Sequence, residues 1–133
     1  MNEFQVTTER RTQVIDVTQR VLGALGEPAD ATAVLVYVPH ATAGVIIQEP
    51  RGDNTVAQDL EMAFERIVDD DWPYTHFEPH ERNPWSHVRA ALAGSSVVIP
   101  LQDGRPAFGT WQGVFLCEFD GPRTRKVYVS ALR

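Results

Sequence analysis

Apolar residues recur four apart at Val17, Val21 and Leu25, which predicts a short amphipathic helix that Gly26 and Pro28 bring to a stop. Ahead of it, residues 4–8 and 13–17 read as one or two short strands around a polar turn. Behind it lie two nearly unbroken apolar runs, residues 33–38 and 43–47. Their β-branched content and short length predict strands, and the absence of alternation implies cover on both faces. The tight link Pro39-His40-Ala41-Thr42 makes the two runs a candidate hairpin. Val56, Leu60, Phe64 and Ile67 then mark the core face of a longer helix, capped by Asp53 or Asn54. Residues 69–83 have no periodicity and form a polar loop holding Asp69, Asp70, Asp71, Glu78 and Glu81 with His76 and His80. Asn83-Pro84 starts a third helix that ends at Gly94. Strands are predicted over residues 96–101, about 107–119 and 126–132, with a hairpin turn at Asp103-Gly104. Strands outnumber helices without strict βαβ alternation, so the class is α+β. Neither a linker nor a repeat divides the chain, and residues 1–133 are read as one domain.

Composition narrows the function classes. The chain has 12 Lys and Arg against 18 Asp and Glu, a net charge of −6, with no basic run. Nucleic-acid binding is thereby disfavoured, since that affinity comes from clustered cations. An acidic chain that binds a phosphorylated small molecule needs a cation to mediate. The single cysteine can build neither an internal disulfide nor a thiolate metal cage. No apolar stretch approaches the roughly 20 residues of a membrane span. The N-terminus lacks the apolar segment of a signal peptide, so a cytoplasmic protein is expected.

Candidate chemistry rests on few residues. His40 sits at a strand end, His76 and His80 in the acidic loop, and His87 in the first turn of the third helix. Imidazoles with carboxylates can hold zinc or a similar ion, though no HExxH spacing is present and surface histidines are the plainer reading. Helical spacing sets His87 beside Asn83, Ala90, Ala91 and Gly94, with Trp85, Val88 and Leu92 on the apolar face. Such a small-residue face either admits a ligand or packs closely on a sheet. Along the long strand, Thr110, Gln112 and Glu118 share one face if no bulge intervenes. A carboxylate on an apolar strand is expensive unless paired or liganded. Glu118 is therefore a ligand or base in a pocket wall, or the partner of an arginine such as Arg123 or Arg125. Trp111 and Cys117 fall on the apolar face, where core packing and a buried structural thiol are expected. There is no phosphate-cradling glycine loop and no nucleophile elbow. The loop of about fifteen residues is longer than typical connections, which favours a functional lid.

Several segments together resemble a known family. They are His40-Ala41-Thr42-Ala43 with Gln48-Glu49, then Tyr74-Thr75-His76, then Asn83 with His87. Gly109-Thr110-Trp111-Gln112-Gly113 and Glu118-Phe119-Asp120-Gly121-Pro122-Arg123 follow. In this order they resemble the YjbQ family, described as secondary thiamine-phosphate synthases, from about Arg11 to the C-terminus. The resemblance implies an α+β, two-sheet, β-sandwich-like domain with about three helices, assembled as a homotrimer. The implied activity joins a pyrimidine diphosphate to a thiazole phosphate with release of pyrophosphate. It makes His40, His76 and His87 candidate ligands of a divalent metal ion (zinc, magnesium or manganese), and Glu49 and Glu118 the catalytic or imidazole-orienting carboxylates. Arg105 and Arg123 become the anion partners, and Thr110 and Gln112 the substrate-binding wall. His80 matches no motif position. The chain departs from the family wording at Ala41, Pro50, Phe77 and Glu81-Arg82, around the presumed mouth. A metal-dependent hydrolase with Glu49 or Glu118 as general base, or a non-catalytic trimeric binding protein, would use the same residues.

Overall fold

A computed structural model describes residues 1–80 and 82–133. Glu81, counted above in the acidic loop and among the departures from the family wording, lies outside the described residues. The elements in chain order are β1 (Asn2–Thr7), β2 (Gln13–Asp16), α1 (Thr18–Leu25), β3 (Ala33–Tyr37), β4 (Ala43–Gln48), α2 (Thr55–Ile67), α3 (Pro84–Ala93), β5 (Ser96–Gln102), β6 (Arg105–Pro106), β7 (Gly113–Glu118) and β8 (Thr124–Leu132). A five-stranded sheet of order β1-β8-β3-β5-β6 faces a three-stranded sheet of order β2-β7-β4. The fold is α+β with two antiparallel sheets and three helices, as expected. Among the described residues, no helix is long and apolar enough to cross a membrane.

β7 explains the layering. Every one of its residues is buried. Because side chains alternate across a strand, Val114 and Leu116 join Val34, Val36, Val127 and Val129 in the core between the sheets. Phe115, Cys117 and the adjoining Phe119 point the other way, into a second core with Ala57 of α2 and Ala90 of α3. Phe64 meets Phe119 edge-on, with ring centroids 4.8 Å apart. Burial of this kind is worth about 1.5–3 kcal/mol per large apolar side chain. It also pushes the Cys117 thiol up to about 12, because the thiolate would lose its hydration.

Four expectations are corrected. Residues 33–38 and 43–47 do not form a hairpin: β3 pairs with β5 and β8 in one sheet, and β4 pairs with β7 in the other. Residues 39–42 carry the chain between sheets. β3 is covered on one face only, with Val34 and Val36 buried and Tyr37 exposed, so its apolar run overstated its cover. The predicted strand over 107–119 shrinks to β7, because Gly109 through Gln112 make a turn. In it Gln112 N donates to Gly109 O at 3.1 Å, and Gly109 N donates to Gln112 Oε1 at 2.9 Å. Thr110 and Gln112 therefore share no strand face with Glu118, and Trp111 is 70% exposed instead of packed in the core. Finally, Ile67 and Leu92 are exposed, so the inward faces of α2 and α3 run through Ala57, Leu60 and Phe64 and through Ser86, Arg89 and Ala90.

The small-residue face of α3 packs on a sheet. A Cβ at Gly44 of β4 would lie 2.5 Å from Gly94 O and 3.0 Å from Ala93 Cβ. The helix lies on the strand because both surfaces are nearly bare. Pro84 opens α3 and Gly94 closes it with a positive φ of 92°, as the sequence predicts.

Candidate functional site

α3 packs against β4 and β7 where the loop before it and the turn after β7 meet. Together these segments surround a pocket of about 430 Å³. Its wall at the start of α3 is His87 and the N-cap residue Asn83. Residues 69–83 add His76, Glu78 and His80, and the turn after β7 adds Asp120 and Arg123. Arg125, near the start of β8, and Thr42, just before β4, complete the lining. The His76 and His87 rings meet edge to face with centroids 4.9 Å apart.

The loop is tied down at its start. Asp70 accepts from Arg89 of α3 at 2.8 Å and from Arg11 at 2.9 Å, and Tyr74 Oη donates to Asp69 O at 2.5 Å. Arg89 is fully buried and also donates to Val68 O at 2.7 Å, at the C-terminal end of α2. Its Nε and Nη1, and Trp85 Nε1, have no partner among the described residues. Among the described residues Asp70 is the carboxylate that pairs with Arg89, and it joins the loop bearing His76 to the helix bearing His87.

A buried network lies under the pocket. Glu118 has no solvent exposure. Its Oε1 accepts from Thr8 Oγ1 at 2.7 Å and from Arg125 Nε at 2.9 Å. Its Oε2 accepts from Arg125 Nη2 at 2.5 Å and from the backbone N–H groups of Phe119 at 3.0 Å and Asp120 at 3.1 Å. Arg125 Nη2 also donates to Thr42 Oγ1 at 2.7 Å. This is the arginine pairing the strand pattern allowed as one of two readings. Gly121 is required beside it, because a Cβ there would collide with Arg10 O and lie 2.8 Å from Thr8 Oγ1. Asp120 ties the rim together: its Oδ2 accepts from Asn83 Nδ2 at 2.8 Å and from Arg123 Nη2 at 2.7 Å.

The nine residues singled out from the sequence do not all converge. His76, His87 and Arg123 line this pocket. His40 lines a neighbouring hollow of about 290 Å³, which shares His87 as a wall. Its Nε2 accepts the Lys126 N–H at 2.8 Å, which leaves the proton on Nδ1. Burial, and then the positive charge of Arg125, hold its pKa below the ordinary value. Glu49 and Thr110 line a different cleft of about 530 Å³ with Arg51, Asp53 and Trp111. Gln112 closes its turn, and exposed Arg105 pairs with Gln102 in the β5–β6 hairpin. Among the described residues, no three His, Cys, Asp or Glu side chains gather as a metal-holding group.

Arg125, Asp120, Asn83, Thr42, Glu78 and His80 were missed as pocket residues. Arg125 had a usable signal: it sits in phase with the inward-facing Val127 and Val129 of β8, so its charge had to be paired inside the protein.

Residues 2–133 match the family model described as UPF0047 protein YjbQ-like. The chain is 38% identical to UPF0047 protein MJ1081 of Methanocaldococcus jannaschii, over 98% of this chain and 92% of that protein. It is 36% identical to UPF0047 protein YugU of Bacillus subtilis, over 99% and 98% respectively. A crystal structure of an uncharacterised YjbQ/UPF0047 protein from Clostridium acetobutylicum superposes with a TM-score of 0.88 at 34% identity, covering 99% of this chain and all of that one. A hypothetical protein from Aeropyrum pernix, APE1520, gives 0.88 at 35% identity, covering 98% of this chain and 96% of that one.

Proposed function

Because the chain belongs to the YjbQ-like UPF0047 family, we propose that its histidine–arginine pocket performs a thiamine-phosphate-synthase-like transfer. A pyrimidine diphosphate is joined to a thiazole phosphate and pyrophosphate leaves. The observation that carries this reading is the meeting of His76, His80 and His87 with Arg123 and Arg125 in one open pocket. The arginines offset charge on the diphosphate, and an imidazolium passes its proton to a departing pyrophosphate oxygen. The C–O bond to the diphosphate breaks as the C–N bond to the thiazole nitrogen forms, with the electron pair leaving on oxygen.

The divalent ion that the resemblance implies does not fit His40, His76 and His87 as they stand. His40 has committed its Nε2 lone pair to Lys126, and it faces a separate hollow. Hydrolysis with Glu118 or Glu49 as base has less support, because Glu118 is saturated with donors and Glu49 lines another cleft.

We place this activity in a cytoplasmic homotrimer. The outer face of the five-stranded sheet supports assembly, since Tyr37, beside Tyr128, and Val98 stand exposed on adjacent strands. Sedimentation equilibrium should return three times the 14.9 kDa chain mass, and a monomer at micromolar concentration would remove the assembly. The activity is tested by pyrophosphate release from the two substrates. His87→Ala should lower it about 100-fold or more while melting stays unchanged. No release by the wild-type protein, or full release by a folded His87→Ala variant, would sink the mechanism.

A further inference from the structure

We propose that Arg125 is the phosphate receptor at the floor of the pocket and that Glu118, an apparent catalytic carboxylate, is its positioning residue. The proposal rests on the phosphorylated-substrate reading above and deepens it.

Arg125 has two tasks assigned to different nitrogens. Nε and Nη2 are consumed by Glu118 and Thr42. Nη1 makes no hydrogen bond among the described residues. It is not sealed in either, because the buried side-chain nitrogens without a partner belong to Arg89 and Trp85 among those residues. Since Arg125 is 4% exposed and lines the pocket, its small open surface lies there. A guanidinium clamped on one edge and open on the other is pre-organised for an oxyanion, and little side-chain entropy remains to be lost on binding.

Glu118 balances the formal charge of Arg125 but engages only Nε and Nη2, so the Nη1 N–H groups stay able to donate. Its two oxygens also take the Thr8 hydroxyl and two backbone N–H groups, which hold the carboxylate ionised and fixed. Thr42 supplies the second contact. Its Oγ1 accepts from Arg125, so its own O–H is directed elsewhere, and the residue lines the same floor. The ligand class is therefore a phosphate or diphosphate end group, held by Arg125 Nη1 and the Thr42 hydroxyl below the imidazoles.

The test is calorimetric titration of inorganic pyrophosphate into the full chain at fixed salt. Arg125→Lys keeps the charge but loses the two-edged geometry, and it should weaken binding about 10-fold or more. Thr42→Val should cost about 3- to 10-fold. Glu118→Gln combined with Arg125→Met removes both buried charges together, so it should stay folded and bind no pyrophosphate. Arg66→Ala, an exposed arginine in the last turn of α2, should bind as the wild type does. A folded Arg125→Lys or double variant with wild-type affinity overturns the receptor while leaving the pocket's transfer chemistry standing. Loss of binding in these variants, beside a wild type that releases no pyrophosphate from the substrate pair, upholds the receptor and removes the transfer. A wild type that binds no pyrophosphate at millimolar concentration overturns both.

Discussion

In the histidine–arginine pocket the central ion pair is shut away, with the Glu118 side chain fully buried and that of Arg125 5% exposed. In the cleft around Glu49 the ion pairs sit in water. Arg51 is 54% exposed and reaches Glu49 at 3.4 Å and Asp53 at 3.7 Å. Both regions hold arginine–carboxylate pairs, yet only one is built to keep them still. A buried pair whose remaining lone pairs are all satisfied fixes a guanidinium to one position, whereas an exposed pair trades Coulomb attraction for side-chain entropy and is worth little. Two glutamates to which the resemblance gives one role therefore differ in kind. Glu118 is part of the scaffold of the site, and Glu49 decorates a surface.

This contrast can be broken most directly by truncating each carboxylate. Glu118→Ala strands Arg125 inside the protein, and should lower the free energy of urea unfolding by about 3–5 kcal/mol. Glu49→Ala should change it by less than about 0.5 kcal/mol. Equal effects would mean that the buried network carries no more than the surface one. A smaller loss is expected at the loop. Asp70→Asn weakens the tether of Arg89 and Arg11 to residues 69–80, and Asp70 is itself partly exposed. The variant should lose about 1–2 kcal/mol. Amide exchange should quicken in the loop bearing His76 before it does in β7. Exchange rising uniformly across the molecule would show that Asp70 supports global stability and does not specifically order the site.

Local signals were legible where the physics is local. Val17, Val21 and Leu25 announce α1, and Asn83-Pro84 with Gly94 bracket α3, because spacing and backbone restriction act within a few residues. Asp103-Gly104 likewise marks the β5–β6 hairpin, both residues adopting positive φ. Partner choice was not legible. The link from Pro39 to Thr42 is short enough for a hairpin, and only the covering of β4 by β7 and α3 shows why the chain changes sheets. Gly109 through Gly113 alternated like a strand, but the Gln112 side chain closes a turn there and leaves Trp111 in solvent. The site divides along the same line. His76, His87 and Arg123 could be singled out by residue type and resemblance. Arg125 was named only as a possible partner of Glu118 and not as a pocket residue, although its inward phase carries the same cost of burying a charge that made Glu118 conspicuous.

His40 offers the smallest effect and a sharp sign. It lies outside the pocket proper, beside it, and its Nε2 holds the Lys126 N–H at the start of β8, one residue after Arg125. Burial first, then the charge of Arg125, keep its folded pKa below the ordinary value near 6.5. As pH falls through that ordinary value, the unfolded chain takes up the proton before the folded one does. The stability contributed by neutral His40 is therefore intact above about pH 6.5, declines as pH falls toward the lower folded value, and then levels off. In His40→Gln the amide oxygen can still accept the Lys126 N–H, but nothing titrates. The urea midpoint of this variant should accordingly vary less than that of the wild type between about pH 5 and 7, while the other three histidines contribute equally to both proteins. Parallel pH profiles would mean that His40 is protonated as readily inside the fold as outside it. The Nε2 contact to Lys126 could not then be the state that holds the start of β8, and Arg125 with it, under the pocket.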